Sequence, residues 1–339
     1  MPVRCLRQVP LPEGLGLSPP DGFVLERYEA SVTLDPNHPG NQGIAGLGDA
    51  AGDQQTVAVA LQLQLLLPAE REVSTLLVEV VNRGQAAHLP FDGFAVTAHQ
   101  SSVLGPIPRA PAGDALALRD RGGVVWCGWQ WDLAGKDPRL LAATVPEVQA
   151  DLHRAHPPLT VSLETAGPAD VLPLFGVPGA ASAYPVAELE DERAELRAIA
   201  GGDDAGDPDA GDAGDLVPRD QWGFRREAGS PDGVSIWCAQ GFAPGRAYLV
   251  TFRCGRCPVA GAAMLAVRDV VAFLRSGGHQ VPSPLRAPPA TVLGYGISQA
   301  GRFLRQFLYD NRNADCDGGG RVFDGLLVHA AGALRDDLA

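Results

Sequence analysis

Apolar and polar positions along the chain form alternating runs, continuous runs and runs of helical period, and their order predicts the layout of elements. Gly22 to Leu34 alternates as a strand does, and the Leu-Gln-Leu-Gln section of Thr56 to Leu67 marks a second strand with one wetter face. Ser74 to Val81 is almost continuous Leu and Val, the pattern of a strand covered on both faces. It ends in the polar triplet Asn82-Arg83-Gly84. Gly122 to Trp126 is another buried strand, and it runs into the dense Trp126-Cys-Gly-Trp129-Gln-Trp131-Asp132. From residue 155 to 245 the texture shifts to short segments such as Leu159–Glu164 and Gly233–Cys238, separated by turn residues, which predicts a β-rich insertion. Arg193 to Ile199 reads as a strand or a short helix. Beyond it a strand at Arg246 to Phe252 and a helix at Ala260 to Leu274, stopped by Gly277-Gly278, restore an α/β pattern. The reading is therefore an α/β part over 1–154, an insertion over 155–245 and a continuation of the α/β part over 246–339.

The chemistry concentrates near the end of that pattern. Thr291-Val-Leu-Gly-Tyr-Gly-Ile is an apolar strand, Ser298 follows, and Phe303, Leu304, Phe307 and Leu308 then recur at helical spacing with Arg302, Arg305 and Gln306 opposite. Strand, serine and helix in that order, with small residues two positions either side of the serine (Gly296 and Ala300), are the layout of a nucleophile elbow. Ser298 is then the candidate nucleophile. Gln299 would open the helix, so its backbone N–H lacks an intrahelical acceptor and can point at a developing oxyanion. The plainer alternative is an ordinary strand-to-helix turn with Ser298 as helix N-cap. The turn at Asn82-Arg83-Gly84 can supply a second oxyanion donor from Gly84, or be simply a polar turn with glycine at positive φ. Three tryptophans within six positions can wall a substrate pocket, with Trp129 and Trp131 beside Arg83 as its lining, or belong to the core and a packed loop.

Composition narrows the functional classes. A net charge of −13 over 339 residues argues against nucleic acid and anionic membrane as partners, because such binding is driven by clustered Lys and Arg. No segment reaches about 18 uninterrupted apolar residues and the N-terminus has no apolar signal core, so a cytoplasmic protein is expected. Six cysteines in so long a chain read as reduced thiols, and Cys254-Gly-Arg-Cys257 has neither the second pair nor the histidines that zinc requires. The acidic low-complexity run Gly201 to Asp215 reads as a surface loop without metal-site spacing. Asn313 to Asp324 resembles a calcium loop in its ligand positions, but an apolar strand follows it where a helix should, so a polar turn is the better reading. No cofactor and no metal is expected.

Beyond these motifs, Gly-Tyr-Gly-Ile-Ser298-Gln-Ala-Gly-Arg, Gly-Arg321-Val-Phe-Asp-Gly, His329-Ala-Ala-Gly, Val-Asn82-Arg-Gly, Trp126-Cys-Gly-Trp129-Gln-Trp and Tyr184-Pro together resemble the bacterial alpha/beta hydrolase domain-containing proteins. The elbow and the tryptophan segment are the specific parts. The resemblance implies an α/β-hydrolase-like, mostly parallel sheet flanked by helices, and a serine hydrolase of carboxylesterase type acting on a small-molecule ester. It also implies a catalytic acid and histidine after the serine. Only Gln299 to Ala339 remains there, so the chain reads as cut off, without the last strands of that fold. His329 falls in the final strand and reads as structural, Asp324, Asp336 and Asp337 are candidate acids, and His88 and His99 are candidate pocket residues.

Overall fold

The computed structural model describes residues 2–15, 17, 19–86, 116–133, 135, 137–148, 158–174, 185–199, 214–226, 233–255, 257–277, 281–315 and 320–332. They fall into two compact units, Met1–Pro146 together with Val259–Ala339, and Glu147–Pro258. In chain order the first unit contributes β1 (Val3–Val9), β2 (Phe23–Leu34), α1 (Leu47–Ala51), β3 (Val57–Pro68), β4 (Thr75–Val80), β5 (Gly122–Cys127) and β6 (Ala143–Thr144). The second unit supplies β7 (Glu147–Val148), β8 (Leu159–Glu164), β9 (Ala169–Pro173), β10 (Glu195–Ile199), β11 (Asp215–Val217), β12 (Trp222–Arg226), β13 (Val234–Phe242), β14 (Ala247–Phe252) and β15 (Cys257–Pro258). The chain then returns to the first unit with α2 (Gly261–Ser276), β16 (Thr291–Ile297), α3 (Gln299–Tyr309) and β17 (Gly325–His329).

The first unit is built on one sheet of order β1-β2-β3-β5-β4-β16-β17, with β6 also on β3. The neighbours β5, β4, β16 and β17 run parallel, whereas β1/β2, β2/β3, β3/β5 and β3/β6 are antiparallel. The sheet is thus mixed, where a mostly parallel one was expected. A 3-10 turn at Pro39–Asn41 and the five-residue α1 lie between β2 and β3, so no long helix carries a parallel crossover there, and the strands pair antiparallel from Phe23↔Pro68 to Leu34↔Val57. The parallel strands β4 and β5 are the near-continuous apolar runs seen in sequence, buried as such strands must be.

From β4 the chain passes to β5 on one side, and the later β16 lies on the other side of β4. In an open α/β sheet this reversal leaves a crevice outside the carboxyl ends of the two diverging strands. Here those ends belong to β4 and β16.

α2 stops at Gly277, whose left-handed φ of 82° lets its N–H bond the Phe273 carbonyl at 3.1 Å. Arg268 on this helix is 1% exposed and donates to Asp269, to the Gly40 carbonyl and to Asn41 Oδ1, at 2.6 to 2.7 Å. α3 buries Ala300, Phe303, Leu304 and Phe307, and the Phe307 ring meets Phe323 edge-on at 5.7 Å. Leu308, expected on that face, is 49% exposed; the buried polar residue is Gln306, whose amide reaches Asp310 at 2.9 Å. Position 308 lies at the edge of a stripe centred on 300, 303, 304 and 307.

The described residues of the second unit form β-strands and one 3-10 turn, Arg219–Gln221. Its sheets β11-β10-β14-β8 and β12-β13-β9 are antiparallel throughout and share a core that includes Leu196, Trp222, Ile236, Phe242, Val250 and Phe252. β14, read in sequence as the start of the α/β continuation, pairs with β8 and β10 in this unit. Arg193 to Ile199 resolves as the strand β10.

Candidate active site

Ser298 follows β16 directly and precedes α3, with φ 56° and ψ −117°. A positive φ at a non-glycine residue stores roughly 1 to 3 kcal/mol of strain, and such residues persist only where neighbouring structure holds them. Three contacts do so here. The Ser298 N–H donates to the His329 carbonyl of β17 at 2.9 Å, and the Arg302 N–H donates to the Ser298 carbonyl at 3.0 Å. Beneath the turn, Gly296 and Ala300 touch so closely that a Cβ on Gly296 would stand 2.6 Å from the Ala300 carbonyl oxygen. The Ser298 side chain makes no capping hydrogen bond to α3 and the residue is exposed. An N-cap serine would have extended backbone and a bonded hydroxyl, and Ser298 has neither.

Asn82 to Gln85 leaves the end of β4 as a tight turn, with φ 53° at Arg83, φ 72° at Gly84, and the Gln85 N–H on the Asn82 carbonyl at 3.0 Å. Two successive positive φ values are those of a type I′ turn. The parallel register of β4 and β16 pairs Glu79 with Tyr295, so the turn after β4 and Ser298 leave neighbouring strands at the same end of the sheet. Gly84 is buried under the segment Leu140–Ala142, and its carbonyl accepts the Leu141 N–H at 2.9 Å. That segment is held by Arg27, 3% exposed, whose Nη2 reaches the Leu140 carbonyl at 2.6 Å, and by Gln62 Oε1 on the Ala142 N–H at 3.1 Å. Arg83 is exposed on the turn.

The tryptophan segment divides by burial. Trp126 lies in the core at 0% exposure, and Trp129, at 3%, donates its indole N–H to the Val81 carbonyl at 2.8 Å while its ring lies 4.8 Å from Phe303 of α3. Trp129 therefore ties β4 to the elbow helix, and of the three only Trp131 is partly exposed. Sequence reasoning passed over two residues here. Gln130, 3% exposed, donates its side-chain amide to Gln299 Oε1 at 3.1 Å. Glu79, fully buried, stands in register between Trp126 and Tyr295, and burial followed by the Glu79 charge raises the Tyr295 phenol. A lone Glu in an apolar run was the signal for the second; nothing in the pattern marked the first.

The remaining candidates are placed as follows. His329 is exposed, and what it brings to Ser298 is its carbonyl. Among the described residues, no histidine or carboxylate hydrogen-bonds the Ser298 hydroxyl. Asp324 lies at the amino end of β17, away from Ser298, gripped by Arg275 at 2.6 and 2.9 Å and accepting the Val292 N–H at 2.9 Å. The Arg275 hydrogen bonds, then that N–H, hold its carboxyl below the ordinary 3.8. A depressed pKa stabilises above the unfolded value and the benefit fades as pH falls through the folded one. Asp324→Asn is therefore expected to lower the melting temperature at pH 7, with the gap closing below about pH 4 in parallel melts.

Asn313 bonds both backbone groups of Phe323 through its side chain, at 2.8 and 3.1 Å, so with Asp324 it is committed to the turn reading of that loop. Burial pushes the Cys254 thiol up to about 12 and raises Cys257 as well, which makes them poor thiolates. Among the described residues no three His, Cys, Asp or Glu side chains cluster to hold a metal ion, and no helix is long and apolar enough to cross a membrane. His88, His99, Tyr184, Asp336, Asp337 and nearly all of the acidic run lie outside the described residues.

Residues 230–339 match the family model of an alpha/beta hydrolase domain. The match begins inside the second unit and runs through α2, β16, Ser298, α3 and β17. It supports the alpha/beta hydrolase family and points to hydrolase-type function. Comparison with curated proteins and with solved structures returns no match.

Proposed function

We propose that the protein is a serine hydrolase of carboxylesterase type, with Ser298 as nucleophile. The observation that carries the reading is the strained, exposed, uncapped Ser298 at the carboxyl end of β16, where the sheet order reverses. The alpha/beta hydrolase domain match over the same residues supports it. In the reaction Ser298 Oγ attacks the acyl carbonyl of a small ester and gives its proton to a general base. The tetrahedral oxyanion accepts from the Gln299 N–H and from the Gly84 N–H of the turn after β4. Collapse expels the alcohol, and water then hydrolyses the acyl-serine. Arg83, exposed on that turn, and the partly exposed Trp131 are the substrate contacts in this reading.

A fluorophosphonate probe tests this directly. Wild-type protein is expected to label and Ser298→Ala to lose essentially all labelling, with the modified peptide mapping to Ser298. Equal labelling of the two would leave a non-catalytic, ligand-binding protein as the better account.

A further inference from the structure

We propose that Gln130 is a positioning residue for the oxyanion donor of this site, acting through the side chain of Gln299; the inference rests on the hydrolase reading above. The two residues are far apart in sequence, yet Gln130 Nε2 donates to Gln299 Oε1 at 3.1 Å. Gln299 is the first residue of α3, so its backbone N–H has no helical acceptor and is free to serve the oxyanion. Within the helix, the Arg302 N–H on the Ser298 carbonyl, at 3.0 Å, holds the peptide plane that carries this N–H, and it leaves the Gln299 side chain to be held from elsewhere.

The loop after β5 supplies that second hold, on the side chain. Gly128 enters it so tightly that a Cβ there would stand 2.5 Å from the Ala142 nitrogen and the Leu141 carbonyl carbon, so the loop cannot retreat. The Gln130 carbonyl accepts the Ala143 N–H at 3.1 Å, which anchors its backbone from the same side. From this base Trp129 reaches Phe303 and Gln130 reaches Gln299, two points one helical turn apart on α3. Ser298 next door is strained, and its relaxation would swing residue 299. A side-chain clamp on Gln299 opposes that swing. Because Gln130 is 3% exposed, its own amide has little access to water as an alternative to this partner.

Gln130→Met keeps the volume and removes the donor. In the full chain, amide exchange across Ser298 to Phe303 is expected to rise several-fold, the Arg302 N–H being a direct reporter, while α2 exchanges as in wild type. The rate of Ser298 labelling should fall about tenfold, and with a chromogenic acetate ester the loss should appear in kcat with KM unchanged, as for an interaction realised in the transition state. Gln299→Met should match it, and the double variant should be no slower than either single one. Unchanged exchange at residues 298–303 in Gln130→Met would overturn the inference, as would wild-type labelling by that variant. If even wild type fails to label at Ser298, the hydrolase reading falls, and the exchange measurement still decides whether Gln130 holds Gln299.

Discussion

Replacing Gly296 by Ala is expected to cost about 1 to 3 kcal/mol of stability and to slow Ser298 labelling roughly 100-fold. The added methyl would meet the Ala300 carbonyl oxygen at 2.6 Å, its carbon at 2.8 Å and Leu304 Cδ1 at 3.0 Å. Two of those atoms are backbone, so no rotamer change relieves the overlap and α3 must move off β16. A shift on the order of 1 Å at the nucleophile is enough for a hundredfold loss. Denaturant unfolding measures the first effect and probe kinetics the second. Gly294→Ala is the control, because the methyl there meets the side chains of Leu326 and Phe323 and not backbone. An equal loss of labelling in both variants would attribute the effect to the sheet at large.

The second large effect is expected at Trp129. Trp129→Ala removes a side chain that is 3% exposed, the ring contact with Phe303 and the donor to the Val81 carbonyl, and should destabilise by about 3 to 5 kcal/mol. Trp129→Phe keeps a ring but leaves the carbonyl of the fully buried Val81 without its indole partner, at about 1 to 3 kcal/mol. Urea unfolding of the two variants should reproduce that order. A pocket-wall residue would behave differently, raising KM with little change in stability. Unaltered unfolding of Trp129→Ala would return Trp129 to the pocket lining.

How much of this could be read beforehand depends on whether a feature is local. The strand from Thr291, the serine and the helix to Tyr309 are observed where the pattern put them, because alternation, small residues and helical spacing are all encoded within 20 positions of chain. The polar turn at Asn82 to Gly84 was legible for the same reason, since Gly84 suits a positive φ; the other positive φ falls on Arg83, a residue type that does not mark one. The direction of β2, β3 and β5 was not legible. An apolar strand has the same period whichever way its neighbour runs, and the connection, not the strand, sets the sense. Likewise β14 carries no mark of the sheet it joins, and its partners β8 and β10 come from distant stretches.

The sequence by itself determined that a serine stands between an apolar strand and an amphipathic helix, with neighbours small enough for a sharp turn. Tertiary structure alone decided that this serine adopts a left-handed, uncapped conformation, because the His329 carbonyl and the Gly296 to Ala300 contact hold it there. It also decided that Trp129 is committed to Val81 and Phe303, and that Gln130 meets Gln299. The contacts with α3 among these join positions well over 100 residues apart, and the indole bond to Val81 spans 48. Side-chain periodicity says which face of an element is buried, and only the packed sheet says what that face meets.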